Sequence, residues 1–168
     1  MPEALHTNPE RAPQPKEIER KWTIVEAPTN LHEFDHKRIR QGYIAIDDQG
    51  TEVRLRDKEG TYTLTVKSKG DLVRGEFETP ISADQFDSLW ATTEGKRVEK
   101  TRYSIPSDEN TIELDVYEGD LAGLVTAEVE FTSIDAAYQF IAPDWFGADV
   151  TENSAYKNQN LAQAGLPQ

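Results

Sequence analysis

The segment EIERKWTI, from Glu17 to Ile24, reads Glu-x-Glu-x-Lys before it becomes apolar. Successive side chains of a β-strand point to opposite faces, so Glu17, Glu19 and Lys21 would share one face. The opposite face would carry most of the apolar side chains. The segment therefore predicts a strand with one largely apolar face and one face that bears two carboxylates and an ammonium.

The same period-two alternation dominates the chain from Lys16 onward and predicts eight strands. They are expected near residues 16–26, 38–47, 51–58, 61–68, 72–81, 97–106, 111–119 and 125–132. Most of the links between them are short, polar and glycine-bearing, such as SKGD, and such links join antiparallel neighbours. Eight antiparallel strands are enough to close a barrel. We expect a β-rich α+β fold, an eight-stranded antiparallel closed β-barrel with a few short helices outside.

Three short helices are predicted, and they begin at Ser82, Ser133 and Ser154. Ser82 and the glutamine three residues later form the pattern of a capping box. In the second helix we expect a buried stripe of Ala137, Tyr138 and Ile141, and the third helix is expected to continue to Ala164. Residues 1–15 contain four prolines and no periodicity, which predicts a flexible arm before a domain of residues 16–165.

Composition excludes several classes of protein. The 168 residues are 36% hydrophobic and 29% charged, as in a globular domain, and they include no cysteine for disulfides or thiolate metal sites. The net charge of −13 argues against nucleic acid as a partner. No apolar run approaches the roughly 20 residues of a membrane span. We expect a cytoplasmic monomer or homodimer, with His6, His32 and His36 as surface residues.

The polar faces of the other strands carry mostly charged residues, and the charges are sorted by sign. The basic strands contribute Arg54, Arg56, Lys67, Lys100 and Arg102. The acidic strands contribute Glu113, Asp115, Glu128 and Glu130. For any single strand, a solvated outer face is the simpler alternative. For the whole set, the density and sorting of the charges favour faces that point into the barrel.

A lumen lined by these charges requires water, metal and a highly charged ligand, because unpaired buried charges are very costly. Arginine and lysine are suited to phosphate oxygens. Clustered carboxylates without cysteine or a histidine pair are suited to magnesium or manganese. The residues alone therefore point to a metal-bound oligophosphate.

The motifs also resemble a known family, the CYTH superfamily of triphosphate tunnel metalloenzymes. The resemblance extends in order from residue 16 to residue 162. It rests on EIERK, RQGYI, VRLR, TLTVKSKG, RGEFE, EKTRY, ELDV, AEVEF and AYKN. The length and the stretch from Arg97 to Tyr103 most resemble small bacterial members that hydrolyse inorganic tripolyphosphate to pyrophosphate and phosphate.

The resemblance implies a role for each matching position. The residues that resemble ligands of Mg2+ or Mn2+ are Glu17, Glu19, Asp115, Glu128 and Glu130. Those that resemble substrate-binding cations are Lys21, Arg54, Arg56, Lys67, Arg74 and Arg102. Those that resemble a catalytic pair are Tyr43, as a proton acceptor, and Lys100.

Several alternatives remain open at this point. Tyr43 could instead be a packing residue, and Glu76 and Glu78 could serve to pair with neighbouring cations. Ala155 stands where relatives often have a basic residue, a contact that Lys157 could replace. The same tunnel could serve a thiamine or nucleoside triphosphatase, a class IV adenylyl cyclase or a non-catalytic oligophosphate-binding module.

Overall fold

The computed structural model describes residues 16–168, so the predicted arm of residues 1–15 lies outside the described residues. The strands are β1 Lys16–Ile24, β2 Asp35–Ile46, β3 Glu52–Lys58, β4 Thr61–Lys67, β5 Val73–Pro80, β6 Arg97–Ser107, β7 Asn110–Tyr117, β8 Val125–Glu130 and β9 Phe146–Asp149. The α-helices are α1 Ala83–Trp90, α2 Ile134–Gln139 and α3 Asn158–Ala164. All eight predicted strands are confirmed, and β9 is an additional strand that the alternation did not predict.

Strand β1 closes the sheet because its ends pair with different strands. Glu19 lies opposite Glu130 of β8, and Glu17 lies opposite Arg74 of β5. With the sheet order β5-β4-β3-β2-β6-β7-β8-β1, these pairings join the two edges into an antiparallel barrel of eight strands. The short β9 pairs with the end of β1, where Trp22 lies opposite Asp149. The predicted closed barrel is confirmed.

The main apolar core lies on the outer face of the barrel. Trp22, Leu114 and Val129 are almost fully buried there, together with Phe131. Helix α2 and strand β9 cover this face, and Phe140 lies 5.4 Å from Trp22 between ring centroids. Since the apolar side chains face outward, the opposite faces of the same strands line the barrel interior.

Helix α1 begins as its sequence predicts. The Ser82 hydroxyl accepts a hydrogen bond from the Gln85 amide at 3.1 Å, and the Gln85 side chain accepts one from the Ser82 amide at 2.8 Å. This capping box satisfies two amides that would otherwise have no partner in the first turn. Phe86 is fully buried and stacks on Trp90, with 5.0 Å between ring centroids.

The prediction for the second helix is wrong at two positions. Ala137 is buried, but Tyr138 is 73% exposed and Ile141 is 89% exposed. The helix ends at Gln139, so Ile141 no longer follows helical spacing, and Phe140 turns inward against the core instead. The third predicted helix is split. Ser154–Tyr156 form a 3-10 turn, Lys157 is extended, and α3 follows it.

His32 and His36 are exposed, as predicted, whereas His6 lies outside the described residues. Within residues 16–168, no helix has both the length and the apolar character needed to cross a bilayer.

A stability test follows from the close approach of β2 to the 3-10 turn at residues 91–93. A Cβ added at Gly42 would lie 2.5 Å from the Thr93 hydroxyl oxygen and 2.8 Å from the Trp90 ring. We expect Gly42→Ala to lower the free energy of unfolding by about 1–3 kcal/mol, measured by urea titration. The control, Ala45→Ser, adds one atom at an exposed position of β2 and should leave stability nearly unchanged. Equal stability of the two variants would contradict the close packing.

Candidate active site

A polar cavity of about 230 Å³ occupies the barrel interior. The inward-facing side chains of the eight barrel strands line it, with contributions from the links after β4 and β9. The predicted site residues that line it are Glu17, Glu19, Lys21, Tyr43, Arg54, Arg56, Lys67, Arg74, Arg102, Glu128 and Glu130. Glu76 and Glu78 also line it. Residues far apart in the chain therefore share one lumen, as the alternation predicted.

Most cations in the lumen already have a carboxylate partner. Lys21 lies 3.1 Å from Glu128, and Lys67 pairs with Glu17. Other pairs centre on Glu52, which is 2% exposed and lies 3.3 Å from Arg54 and 3.5 Å from Arg74. These pairs offset the cost of burying the charges. They also hold the long side chains in place within the lumen.

Lys100 and Asp115 are the two predicted site residues that do not line the cavity. Both oxygens of Asp115 accept hydrogen bonds, from the Arg102 Nε at 2.7 Å and from the Lys100 Nζ at 2.6 Å. Burial alone would raise the pKa of Asp115, but the Arg102 and Lys100 charges lower it below its usual range. Burial, together with Arg102, lowers the pKa of Lys100 to about 8. Asp115 therefore acts as the fixed anion that holds both cations.

Arg56 is the exception among the cations of the lumen. Its Nε donates to the Gln41 side-chain oxygen at 3.1 Å, and within residues 16–168 it forms no ion pair with a carboxylate. Burial, together with the charges of Arg54 and Arg102, lowers the pKa of Arg56 to about 10. The guanidinium therefore lies in a region of surplus positive charge, which an anionic ligand would relieve.

Gln41 connects Arg56 to Tyr43. The Gln41 amide nitrogen donates to the Tyr43 hydroxyl oxygen at 2.7 Å. Burial, together with the nearby Glu52, raises the pKa of Tyr43 above its usual range. The hydroxyl therefore stays protonated, and because its oxygen already accepts a hydrogen bond, its proton is available to an acceptor in the cavity.

A second tyrosine, Tyr117, lies beside Lys100. Tyr117 lies opposite Lys100 in the β6–β7 ladder, and the Lys100 Nζ lies 5.4 Å from the Tyr117 ring centroid. The Tyr117 hydroxyl donates to the Asn158 side chain at 2.6 Å.

Negative charge is in excess on the β1–β8 side of the lumen. Burial, together with the nearby Glu128, raises the pKa of Glu19 to about 7. Burial, together with Glu17, also raises the pKa of Glu130, which lies opposite Glu19. A divalent cation would relieve this repulsion, and ligands with only oxygen donors are those that Mg2+ and Mn2+ prefer. Within the described part of the chain, no three such side chains are already grouped to hold a metal, since Glu17 and Glu128 turn toward lysines.

The sequence prediction assigned no role to several residues of the cavity, among them Glu52, Asp71 and Tyr156. Glu52 has the same parity as Arg54 and lies within the predicted strand of residues 51–58, so alternation alone could have assigned it to the lumen. Asp71 lies in the link after β4, where alternation gives no information. Tyr156 lies in the 3-10 turn before α3, which is also outside the strand pattern.

Lys157 lines the cavity, whereas Ala155 is not part of the lining. The Lys157 Nζ donates to the Gly70 carbonyl at 3.0 Å and also pairs with Asp71. A lysine two positions after Ala155 therefore contributes to the lining of the lumen.

No protein-family model matches this sequence. Two curated relatives do match it over most of their length. An inorganic triphosphatase of Nitrosomonas europaea is 48% identical over 148 residues, which cover 87% of this chain and 96% of the relative. The chain belongs to the CYTH superfamily of triphosphate tunnel proteins. An inorganic triphosphatase of Acetivibrio thermocellus is 33% identical over 150 residues, which cover 88% of this chain and 94% of the relative.

Solved structures of tunnel proteins share this fold. The crystal structure of an inorganic triphosphatase, 43% identical in sequence, matches with a TM-score of 0.68 over 90% of this chain and 97% of that one. A Hippeastrum adenylyl cyclase candidate with a dominant triphosphatase activity matches with a TM-score of 0.52. It is 15% identical, and the match covers 73% of this chain and 82% of that one, a likeness that shows the tunnel fold alone.

The excess negative charge in the tunnel predicts a stability change. The pKa of Glu19 rises from 4.5 to about 7 on folding, so the folded protein binds this proton more tightly than the unfolded chain. The resulting destabilisation grows as pH rises from about 4.5 to about 7 and is complete above that range. In metal-free protein, Glu19→Gln should therefore raise the Tm by roughly 2–8 °C near pH 8 and barely change it near pH 5.

The measurement is thermal unfolding followed by circular dichroism in the presence of chelator. Glu109→Gln, which removes an exposed carboxylate from the β6–β7 turn, is the matched control and should be neutral at both pH values. A lower Tm for Glu19→Gln near pH 8 would contradict this prediction. It would mean that the attraction of Glu19 to Lys67 and Lys21 is stronger than its repulsion by the neighbouring carboxylates.

Proposed function

We propose that this protein is a divalent-metal-dependent hydrolase of linear triphosphates, and that it converts inorganic tripolyphosphate to pyrophosphate and phosphate in its tunnel. The observation that carries the proposal is the sorted charge of the lumen. Among residues 16–168, Arg56 has no carboxylate partner on one side, and on the other side burial and neighbouring carboxylates raise the pKa values of Glu19 and Glu130. A metal-bound triphosphate would satisfy both sides at once. Two relatives named as inorganic triphosphatases, which are 48% and 33% identical, support the same reaction.

The cations of the tunnel would bind the phosphate oxygens. Arg54 and Arg56 are two residues apart on β3 and point into the same lumen, so both can reach one run of phosphates. Arg54 and Arg74 would exchange the Glu52 carboxylate for phosphate oxygens, and Lys21 and Lys67 would exchange their glutamates in the same way. Charge-assisted hydrogen bonds of this kind are the strong ones. In our proposal Glu52 and Glu76 hold the cations in position between turnovers.

The acidic side of the tunnel would hold the metal ion. We assign Glu17, Glu19, Glu128 and Glu130 as its candidate ligands, because all four line the cavity on its β1–β8 side, where negative charge is in excess. When bound, Mg2+ or Mn2+ supplies neutralising charge for the phosphoryl oxygens and lowers the pKa of a water ligand. Asp115 is fully buried, does not line the cavity and binds Arg102 and Lys100, so we assign it a positioning role instead of the predicted role as a ligand.

Phosphoryl transfer passes through a loose transition state, so positioning and electrostatic stabilisation contribute most of the catalysis. Water would attack a terminal phosphorus, the bridging P–O bond would break, and pyrophosphate would leave with its charge stabilised by the arginines. Tyr43 would donate a hydrogen bond to a phosphate oxygen, because its raised pKa makes it a poor proton acceptor at neutral pH. Lys100 would act through Asp115 and Arg102.

Phosphate release tests the reaction directly. We expect rapid hydrolysis of tripolyphosphate with Mg2+ or Mn2+, loss of activity in excess chelator, and at least about tenfold lower kcat/KM for ATP and thiamine triphosphate. The cations match a short polyanion, whereas a base or thiamine moiety would leave them unpaired. Full activity in chelator would contradict the metal requirement. Equal turnover of ATP, or formation of cyclic AMP, would contradict the assigned substrate.

A second test removes one cation from the tunnel wall. Arg56→Ala should lose a charge-assisted contact of about 1.5–3 kcal/mol, which corresponds to a fall of roughly 10- to 150-fold in kcat/KM for tripolyphosphate. Arg56→Lys should recover part of this loss, because the charge is kept.

The matched control is Arg38→Ala, which removes an exposed arginine paired with Glu99 outside the lumen. This control should change kcat/KM little. If Arg56→Ala were as active as the control while correctly folded, the β3 arginines would not bind substrate.

A further inference from the structure

A second cavity, of about 290 Å³, lies at the barrel end where β2 begins and β3 finishes. It is lined by Asp35, His36, Lys37, Lys58, Arg102 and Ser104. Arg102 lines both this outer cavity and the central one, so the two are neighbours along the barrel. The site assigned to the triphosphate includes none of the other five residues.

Strand register places the cations of the outer cavity in one row. Lys37 of β2 lies directly opposite Arg102 of β6. Two residues further along the same face of β2, Ile39 lies opposite Lys58 of β3. Residues directly opposite each other have Cβ atoms about 5 Å apart, and diagonal neighbours are about 7–8 Å apart. Arg56 precedes Lys58 by two residues on the same face of β3. A row of cations therefore continues from the central cavity to the outer one.

The two lysines of the outer cavity are only weakly compensated, whereas Arg102, which also lines it, pairs with Glu113, Asp115 and Glu128. Lys58 is half-buried, and within residues 16–168 it forms no ion pair and no side-chain hydrogen bond. Lys37 lies 3.3 Å from Glu59, but both side chains are about half exposed, so this pair contributes little. Asp35 is the only carboxylate among the described residues that line the cavity. A locally basic opening in a chain of net charge −13 indicates a site for an anion.

We propose that Lys37 and Lys58 form an outer phosphate subsite, which binds the next phosphate of a linear polyphosphate longer than three units. The inference rests on the proposed function and extends its substrate class from triphosphate to linear polyphosphates of four or more units. Two ammonium groups on neighbouring strands match the non-bridging oxygens of a phosphate group, and the Ser104 hydroxyl adds a donor. The chain would continue along the row of cations from Arg56.

A phosphate group at this subsite could also come from released product. The experiment therefore compares linear tetrapolyphosphate with tripolyphosphate as substrates and measures product inhibition by pyrophosphate and orthophosphate. The test protein is a double variant that carries both Lys37→Gln and Lys58→Gln. The matched control is Lys69→Gln, which removes an exposed lysine that lines neither cavity.

We expect the double variant to lower kcat/KM for tetrapolyphosphate about tenfold or more, and that for tripolyphosphate less than about threefold. The control should change neither. An equal fall for both substrates, or no fall for tetrapolyphosphate, would overturn the proposal. Weaker product inhibition with unchanged tetrapolyphosphate kinetics would also overturn it and assign the subsite to product.

Binding separates this inference from the proposed reaction. Calorimetry in chelator measures the affinity for each polyphosphate whether or not hydrolysis occurs. If the wild-type protein hydrolyses neither compound, the proposed function fails, but a selective loss of tetrapolyphosphate affinity in the double variant would still support the subsite. Equal affinities of wild type and double variant for tetrapolyphosphate would overturn it.

Discussion

Compensation of charge inside a closed barrel is the constraint on which the rest of this structure depends. A dry interior could not hold these arginines, lysines and carboxylates singly, because each buried charge without a partner costs several kcal/mol. The chain meets the constraint with ion pairs such as Lys100–Asp115 and Lys21–Glu128. The pairing is incomplete at Arg56 and at Glu19, and these two imperfections point to the ligands that the tunnel would bind.

A charged interior also displaces the hydrophobic core. The apolar faces of the strands point outward, so α1, α2 and β9 must cover them from outside. Trp22 shows the arrangement on a single strand, because it packs against Phe140 and Phe146 while its neighbour Lys21 points into the lumen. The helices therefore stabilise the barrel without contributing side chains to most of the tunnel. Catalytic charges can be held on rigid strands, which position side chains more precisely than loops do.

The acidic side of the tunnel illustrates a conflict between stability and function. Glu19 lies opposite Glu130 in the β1–β8 ladder, and burial, together with the nearby Glu128 and Glu17, raises the pKa of Glu19. A protein selected for stability alone would place an apolar or amide side chain there. Such strain is typical of sites prepared for a charged ligand, whose binding energy then offsets it. The opposite wall shows the same conflict with positive charge, at Arg56 and along the row that continues to Lys58.

The sequence by itself determined the eight strands of the barrel, its closure and the inward direction of the charges, but not the short strand β9. Alternation is a local property of the backbone, so parity alone assigns Glu17, Arg54 and Glu128 to one lumen. Only the tertiary structure decided which charges pair, because pairing depends on register between distant strands. It placed Asp115 between Lys100 and Arg102, and it brought Lys157 to Asp71 across 86 residues. It also turned Phe140 inward and left Tyr138 exposed, since the end of a short helix is set by packing rather than by periodicity.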